Sequence, residues 1–248
     1  MKNKSEYIKF ILPLLIIFFW FIFTYTGKVP PTSLPSLSAV KDTFIEMLKS
    51  GQLSNDLSLS LRRVLAGFFI SSVLGISLGI FMGISSKAKE FFQLTLTAIR
   101  QIPMIAWIPL IILWAGIGEV SKIVVILFAA TFPIVVNTMG GVDSTSETYL
   151  EVAKMYGLSK KDTFFKVYLP SALPNTGLRL GLGASWMAVV ASELIASSSG
   201  IGYRLNDARS LMRSDVVIVC MIIIGLVGLL MDKLIVLISH ELTPWKKN

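Results

Sequence analysis

Residues 67–83 read GFFISSVLGISLGIFMG, and a small residue recurs there at every fourth position: Gly67, Ser71, Gly75, Gly79 and Gly83. Because residues four apart lie on the same face of an α-helix, these positions form one continuous ridge of small side chains. In lipid, such a ridge permits the close van der Waals contact that holds two helices together. The segment therefore predicts a membrane-spanning helix packed closely on another helix, either within a bundle or across a dimer. We expect a second row of small residues to lie at a helix contact as well: Ala184, Ala188, Ser192 and Ala196, preceded by Gly177, Gly181 and Gly183.

The composition of the whole chain is that of an integral membrane protein. Of its 248 residues, 54% are hydrophobic and 15% are charged, and the mean hydropathy is +0.72. A soluble domain has about 45–50% apolar and about 25% charged residues. The net charge is +8, but the basic residues fall between apolar segments and form no patch interleaved with aromatic residues, so we expect no nucleic-acid binding. The single cysteine, Cys220, lies in an apolar run, where we expect it to serve in packing.

Six segments are long and apolar enough to cross a membrane, since a helix needs about 20 mostly apolar residues to do so. They cover approximately residues 8–26, 64–86, 91–114, 120–140, 175–198 and 215–239. Backbone polar groups in lipid must be satisfied within their own segment, which favours helices. We therefore expect an all-α, six-helix integral membrane bundle forming one domain over residues 1–248. Within it, residues 1–60 hold the first helix and an extracytoplasmic segment, and residues 61–240 form the core.

The distribution of Lys and Arg predicts the orientation of the bundle. These residues prefer the cytoplasmic side of a membrane, and with both termini in the cytoplasm more of them fall on that side than outside. No small-x-small cleavage site follows the first span, so we expect it to be retained as an anchor rather than removed as a signal peptide. Outside the membrane, apolar residues at helical spacing over 38–48 predict a short helix, either at the membrane interface or packed on the bundle.

Polar residues within the spans suggest a path for a solute. Arg100 and Gln101 precede Pro103 in the third span, and an arginine near the middle of a membrane requires water or a partner. Glu193 in the fifth span either lines the same path or forms a structural ion pair with Arg100, because buried charges usually pair. The remaining candidates for the path are Trp107, Asn137 and Trp186.

The polar stretch 141–174 separates the fourth and fifth spans and is expected in the cytoplasm. It contains EVAKMYG at 151–157 and, nine residues later, VYLP at 167–170. Helix-forming residues on both sides of Gly157 predict a helix, a left-handed turn at the glycine and a second helix that Pro170 ends. The sequence thus predicts a cytoplasmic helical hairpin.

This stretch resembles the signature of the permeases of ABC importers, which is Glu-Ala-Ala, three residues, Gly, nine residues and Ile-x-Leu-Pro. The matching residues are Glu151, Ala153, Gly157, Leu169 and Pro170, and Val152 and Val167 replace Ala and Ile with other apolar residues. Residues 60–68, 109–119 and 199–203 are similar to the branch for nitrate, sulfonate, taurine and bicarbonate. Permeases for thiamine precursors are also similar.

The resemblance implies the type I ABC importer permease fold and a subunit that moves a small, anionic solute across the cytoplasmic membrane of a bacterium. It implies a pair of permease subunits, which we expect to be identical copies, with two different permeases as the alternative. It also implies separate ATPase subunits that bind ATP and Mg, and an extracytoplasmic solute-binding protein. This chain itself is then not an enzyme and holds no cofactor.

The resemblance also assigns roles to residues at the two faces of the membrane. Coupling to the ATPase falls to Glu151, Ala153, Gly157, Lys160, Lys161 and Pro170, with solvated charge as the alternative role of each lysine. The outer segment 199–214 would contact the binding protein through Tyr203, Arg204, Arg209 and Arg213. Its arginines suit either an anionic solute or acidic residues of a partner protein.

Two other classes of protein fit the sequence less well. A membrane enzyme is disfavoured because there is no phosphate-binding Gly-x4-Gly-Lys-Ser/Thr loop, the single His240 excludes a His-x3-His metal site, and no span carries paired carboxylates. An ion-coupled secondary transporter would need acidic residues within its spans, and the candidate for this role is Glu193. The sequence leaves the solute open among sulfonate, taurine, nitrate, bicarbonate and a thiamine-type pyrimidine.

Overall fold

The computed structural model describes residues 4–173 and 177–243, and within these ranges every regular element is helical. The elements are α1 (Lys4–Tyr25), α2 (Leu37–Lys49), α3 (Gln52–Ile84), α4 (Ser86–Gln101), α5 (Met104–Ala115), α6 (Glu119–Asp143), α7 (Glu147–Met155), α8 (Lys160–Thr163), a π-helical turn (Phe164–Tyr168), α9 (Leu169–Ala172), α10 (Leu178–Ala196), α11 (Ile201–Ser210) and α12 (Ser214–Leu242). The prediction of an all-α fold is confirmed. The predicted start of the fifth span at Asn175 lies outside the described residues.

The membrane-spanning helices match the six predicted segments only in part. Four helices are long and apolar enough to cross a membrane by themselves, namely α3, α6, α10 and α12. The pair α4 and α5 passes the same test only when it is taken together, and the apolar part of α1, Phe10–Tyr25, is shorter than the others. The helix α3 begins at Gln52, well before the predicted start of its span at Val64.

The third predicted span, residues 91–114, is not one helix. The axes of α4 and α5 meet at 100°. The break falls at Ile102, whose backbone is extended with φ −78° and ψ 121°. A proline ring clashes with a helical conformation of the preceding residue, so Pro103 forces Ile102 out of the helix. Pro103 then stands at the start of α5, where its missing N–H removes no helical hydrogen bond.

The ridge of small residues on α3 packs against α6, as the sequence predicts. A Cβ atom added to Gly75 would lie 2.7 Å from Cγ2 of Ile134, and one added to Gly83 would lie 2.6 Å from Cβ of Val142. The same close approach holds for Gly67 and Gly79. Side chains of α6 fill the space that a Cβ on these glycines would need. The two helices are therefore in close contact, and this contact extends over most of their length.

The helix α10 also packs on α6. A Cβ on Gly181 would lie 2.7 Å from the Ile134 side chain, and Gly177 approaches the carbonyl oxygen of Pro133 equally closely. Ala188 and Ser192 of the second predicted row are buried, while Gly183 faces open space. The prediction is therefore confirmed for the ridge of α3 and, in the second row, for Gly177, Gly181 and Ala188.

The short helix α2 packs on the bundle through Val40, Thr43 and Met47. Its Thr43 hydroxyl donates a hydrogen bond to the Asp215 carboxylate of α12 at 2.7 Å. This contact favours the packed surface helix over a helix that lies only at the membrane interface. Cys220 is fully buried in the same core, as expected of a packing residue.

A buried network of charges connects α3, α6, α10 and α11 at one end of the bundle. The guanidinium of Arg63 donates to the Glu193 carboxylate at 2.7 Å, and both side chains are almost completely buried. Glu193 also accepts hydrogen bonds from the Ser60 hydroxyl at 2.8 Å and from the Gly202 N–H at 2.9 Å. On its other edge Arg63 donates twice to Glu119, at 2.6 and 2.7 Å.

This network corrects two expectations from the sequence. Glu193 pairs with Arg63 and not with Arg100, because α3 extends as a helix beyond the predicted span and brings its first turns beside α10. Arg63, which the predicted spans place in an outer loop, has only 3% of its side chain exposed.

We expect Gly75→Leu to lower the free energy of unfolding by about 1–3 kcal/mol, because the new side chain cannot fit between α3 and α6. Gly183→Leu is the matched control, since nothing lies within 4 Å of its Cβ position. The midpoint of thermal unfolding in detergent should fall for Gly75→Leu and stay unchanged for the control. Equal midpoints would contradict close packing of α3 on α6.

We expect Glu193→Gln to lower the free energy of unfolding by about 3–5 kcal/mol, because it leaves the buried Arg63 without the carboxylate that shares its site. Glu119→Gln should cost only about 0–1 kcal/mol, since that partner of Arg63 is 60% exposed. The same thermal measurement in detergent compares the two variants. A larger loss for Glu119→Gln would show that Glu119, and not Glu193, is the main partner of Arg63.

Candidate functional site

Two polar regions lie at opposite ends of α3. Ser60 and Arg63 of the charge network occupy its first half, and Ile80 near its other end packs against the helices that follow α7. About 20 residues of helix, at about 1.5 Å each, separate the two regions by about 30 Å. This distance is close to the thickness of the hydrocarbon core of a bilayer.

The hairpin turns at Gly157, whose φ of 64° is left-handed. The Gly157 N–H donates to the Lys154 carbonyl and the Leu158 N–H donates to the Ala153 carbonyl, both at 3.0 Å. These two bonds form the Schellman motif, which satisfies the last carbonyls of α7. The predicted left-handed turn at Gly157 is confirmed.

The second arm of the hairpin starts at Ser159. Its hydroxyl accepts a hydrogen bond from the Asp162 N–H at 3.1 Å and donates one to the Asp162 carboxylate at 2.6 Å. This hydrogen bond, together with the nearby Lys166 ammonium, lowers the pKa of Asp162. The ionised carboxylate at the first turn is favourable because it faces the positive end of the helix.

The prediction that Pro170 ends the second helix is wrong. Pro170 lies within α9, which continues to Ala172. The π-helical turn before it bonds the Leu169 N–H to the Phe164 carbonyl, five residues back. This turn shifts the hydrogen-bond register by one residue just before a proline that has no N–H to contribute.

The hairpin has an inner and an outer face. On the inner face Ala153 is buried, and Ala172 packs with Ile80 and Val142 at the ends of α3 and α6. Although the resemblance assigns Ala153 to coupling with a partner, its side chain is only 3% exposed. On the outer face the exposed side chains are Tyr149, Val152, Met155 and Tyr156, with Glu151, Lys160 and Lys161 exposed around them.

Arg100 lies at the break between α4 and α5, next to two cavities of about 170 Å³ each. Gln93 and Thr97 line one cavity, and Trp107 and Phe128 line the other. Among the residues that the structure describes, Arg100 has no ion-pair partner. Gln101 is exposed at the end of α4.

Of the other residues expected along a path, one lies beside Arg100 and three lie elsewhere. Trp107 lines a cavity with Arg100, whereas Asn137 donates to the Pro133 carbonyl at 2.8 Å, where α6 meets α10. Trp186 is a core residue, 5% exposed, and its indole donates to the Ile224 carbonyl at 3.0 Å. The expectation for Trp186 is therefore corrected, because α12 covers it. Glu193 belongs to the charge network and lines neither of the two cavities next to Arg100.

The outer segment expected to contact a binding protein contains the helix α11 rather than a simple loop. Arg204 pairs with Asp56 at 2.8 Å and its guanidinium lies 5.8 Å from the Tyr203 ring centroid. Arg213 pairs with Asp215 at 2.7 Å. Of the three outer arginines, Arg209 is the one left exposed without an ion pair among the described residues.

Most of the charge network was not predicted from the sequence. A helical signal for it was available, since residues spaced by three and four extend the face of the small-residue ridge toward the N-terminus of α3: Leu53, Asp56, Ser60, Arg63 and Gly67. Glu119 had no such signal, because its partner comes from another helix.

The chain is similar over nearly its full length to ABC transporter permeases. It is 38% identical to a putative ABC transporter permease protein of Methanocaldococcus jannaschii, covering 99% of this chain and 94% of the relative. It is 37% identical to a putative aliphatic sulfonates transport permease of Bacillus subtilis, covering 96% and 87%. Its identity to the taurine transport system permease of Escherichia coli is 31%, covering 94% and 87%.

Solved structures with the same fold belong to ABC transporters. A chain of an amino acid ABC transporter crystallised with histidines superposes with a TM-score of 0.64 at 16% identity, covering 80% of this chain and 98% of that one. A chain of the inward-facing MetNI methionine ABC transporter gives 0.57 at 18% identity, covering 76% and 94%. These similarities show the type I permease fold.

Residues 71–243 match the family described as "Binding-protein-dependent transport system inner membrane component". With this match, the relatives above and a helical bundle that carries the signature hairpin, the chain belongs to this family, the permease subunits of ABC importers.

Proposed function

We propose that this permease moves a small oxyanion through the cytoplasmic membrane while a separate ATPase subunit, docked on the hairpin, hydrolyses ATP. The observation that carries the proposal is the outer face of the hairpin. It exposes 85% of Met155 and 81% of Tyr156 at a tight turn, beside Tyr149 and Val152. An exposed aromatic and methionine patch with charged residues around it has the composition of a protein interface.

The parts of the hairpin have distinct roles in this proposal. Gly157 makes the turn that brings the tip together, and Ala153 lets α7 pack against the second arm. Glu151, Lys160 and Lys161 surround the apolar tip, where they would contact charges on the ATPase subunit. Pro170 lies with the π turn in the arm that joins the bundle.

The packing of the hairpin supports a mechanical connection to the bundle. Ala172 is fully buried against α3 and α6, the two helices that the small-residue ridge joins. A displacement of the hairpin would therefore move both helices together as one rigid unit. We infer that ATP binding draws two hairpins together and shifts the population between packings open to one or the other side of the membrane.

The relatives and the free charge support an anionic solute. Permeases named for aliphatic sulfonates, taurine and nitrate are 31–37% identical to this chain, and Arg100 offers a cation without an ion pair in the described residues. In the proposed assembly a second permease copy completes the path. A solute-binding protein approaches the face with the charge network and Arg209, and both termini and the hairpin face the cytoplasm. The exposed apolar side chains of α1 suit contact with the lipid bilayer.

The structure disfavours coupling to an ion gradient. Glu193, the acidic residue considered for this role, has Arg63, Ser60 and the Gly202 N–H as close partners. A carboxylate fixed in this way is poorly suited to release and rebind a proton in each transport cycle.

We expect Met155→Asp to abolish the co-purification of an ATPase subunit with the tagged permease, since it places a charge in the centre of the apolar tip. Because Met155 is 85% exposed, the folded bundle should remain intact. The measurements are the amount of ATPase subunit retained and the ATP hydrolysis of the purified complex.

Met212→Asp provides the matched control, because it is the same substitution at a residue 75% exposed on the opposite membrane face. The control should retain the ATPase subunit at the wild-type level. Retention of the ATPase by Met155→Asp with normal hydrolysis would overturn the proposed docking surface.

A further inference from the structure

We propose that Arg100 and the aromatic side chains next to it form a transit site that selects organic oxyanions with a short apolar tail, such as alkyl sulfonates. This inference rests on the proposed function and narrows its solute class. It would place a preference for the solute within the membrane subunit itself.

The first observation is the location of the free guanidinium. Phe132 lines both cavities next to Arg100 and lies near the middle of the membrane-spanning helix α6. An unpaired arginine at that depth costs a few kcal/mol in lipid unless it meets water or an anion. Arg63 shows how this chain satisfies a structural arginine, with two carboxylates within 2.7 Å. Arg100 has no such arrangement among the described residues, so its charge is available to a ligand.

The second observation is the difference between the two cavities. On one side Arg100 lies with Gln93 and Thr97, the two other polar residues of a cavity whose remaining lining is apolar. On the other side the Trp107 and Phe128 rings lie 5.3 Å apart between centroids and form an apolar wall. Each cavity has a volume of about 170 Å³, several times the ~30 Å³ of a water molecule in the liquid.

The chemistry of this pair of cavities matches a two-part ligand. A guanidinium presents a planar fork of donors that binds a sulfonate or carboxylate through two parallel hydrogen bonds. The aromatic wall would contact an alkyl tail next to that head group. Nitrate and bicarbonate would use the guanidinium and leave the wall without a contact. The break at Pro103 produces this arrangement, because it sets α5 with Trp107 at a large angle to the helix that carries Arg100.

The test uses the full-length permease in membranes and the reactivity of a single cysteine. Cys220 is fully buried, so in Thr97→Cys the new thiol, which lines the cavity with Arg100, is the one that reacts with polar reagents. We expect sulfonatoethyl methanethiosulfonate, an anion, to react faster than the trimethylammonium analogue by about tenfold or more, relative to their rates with a free thiol. Adding Arg100→Gln should abolish this preference.

Competition addresses the apolar wall. Butanesulfonate should slow the reaction of Thr97→Cys with the anionic reagent, and sodium nitrate at the same concentration should slow it several-fold less. Equal protection by the two anions would overturn the role of the aromatic wall. Adding Trp107→Ala should remove the advantage of butanesulfonate over nitrate.

Two controls use the same chain. Thr95→Cys lies about 200° around α4 from Thr97 and does not line the cavity, so its reactivity should not depend on Arg100. Arg62→Gln removes the same charge from an exposed position in the first half of α3, next to the charge network, and should leave the reagent preference of Thr97→Cys unchanged. The proposal is overturned if Thr97→Cys is unreactive, or if its reagent preference survives Arg100→Gln. None of these measurements needs an ATPase, so their failure would leave the docking experiment on Met155 as a separate test.

Discussion

The close approach of α3 and α6 is the contact on which the rest of the structure depends. Four glycines of α3 leave no room for a Cβ atom against side chains of α6. In lipid there is little hydrophobic gain from bringing helices together, so this close packing supplies much of the association energy. The helix α10 then packs on the same α6, and the hairpin attaches where α3 and α6 end. A displacement at one end of this pair is therefore carried to the other end.

Arg63 and Arg100 have opposite surroundings in the bundle. Arg63 is enclosed by two carboxylates and the backbone of the segment before α11, and these contacts tie α3, α6 and α10 together. A Cβ on Gly200 would overlap the Glu193 carboxylate, so the backbone there can wrap the network only because the residue is glycine. Arg100 lies next to cavities and has no ion pair within the described residues. Arg63 therefore stabilises the fold, and Arg100 remains available for a ligand. The structural part of the bundle and its candidate path thus use different arginines.

Pro103 connects local chemistry with the candidate transit site. A straight helix over residues 91–114 would carry Arg100 and Trp107 along one continuous rod. The 100° break turns α5 away and leaves space beside Arg100 that Trp107, Phe128 and Phe132 enclose from one side. A proline that removes a backbone hydrogen bond is tolerated in a membrane where the freed groups meet protein or a water-filled cavity.

The sequence by itself determined the helical class, the spanning segments that stand as single helices, the ridge of α3 and the turn at Gly157. These features depend on local periodicity and on the φ angle that only glycine adopts easily, and both can be read from neighbouring residues. It did not determine the partner of Glu193, the burial of Trp186 and Ala153, or the passage of the helix through Pro170. The bend at Pro103 could be suspected from the proline, but its angle could not be. These properties depend on which helices meet in space. Arg63 and Glu193 are separated by 130 positions in the chain, and only the packing of α3, α6 and α10 brings them within 2.7 Å.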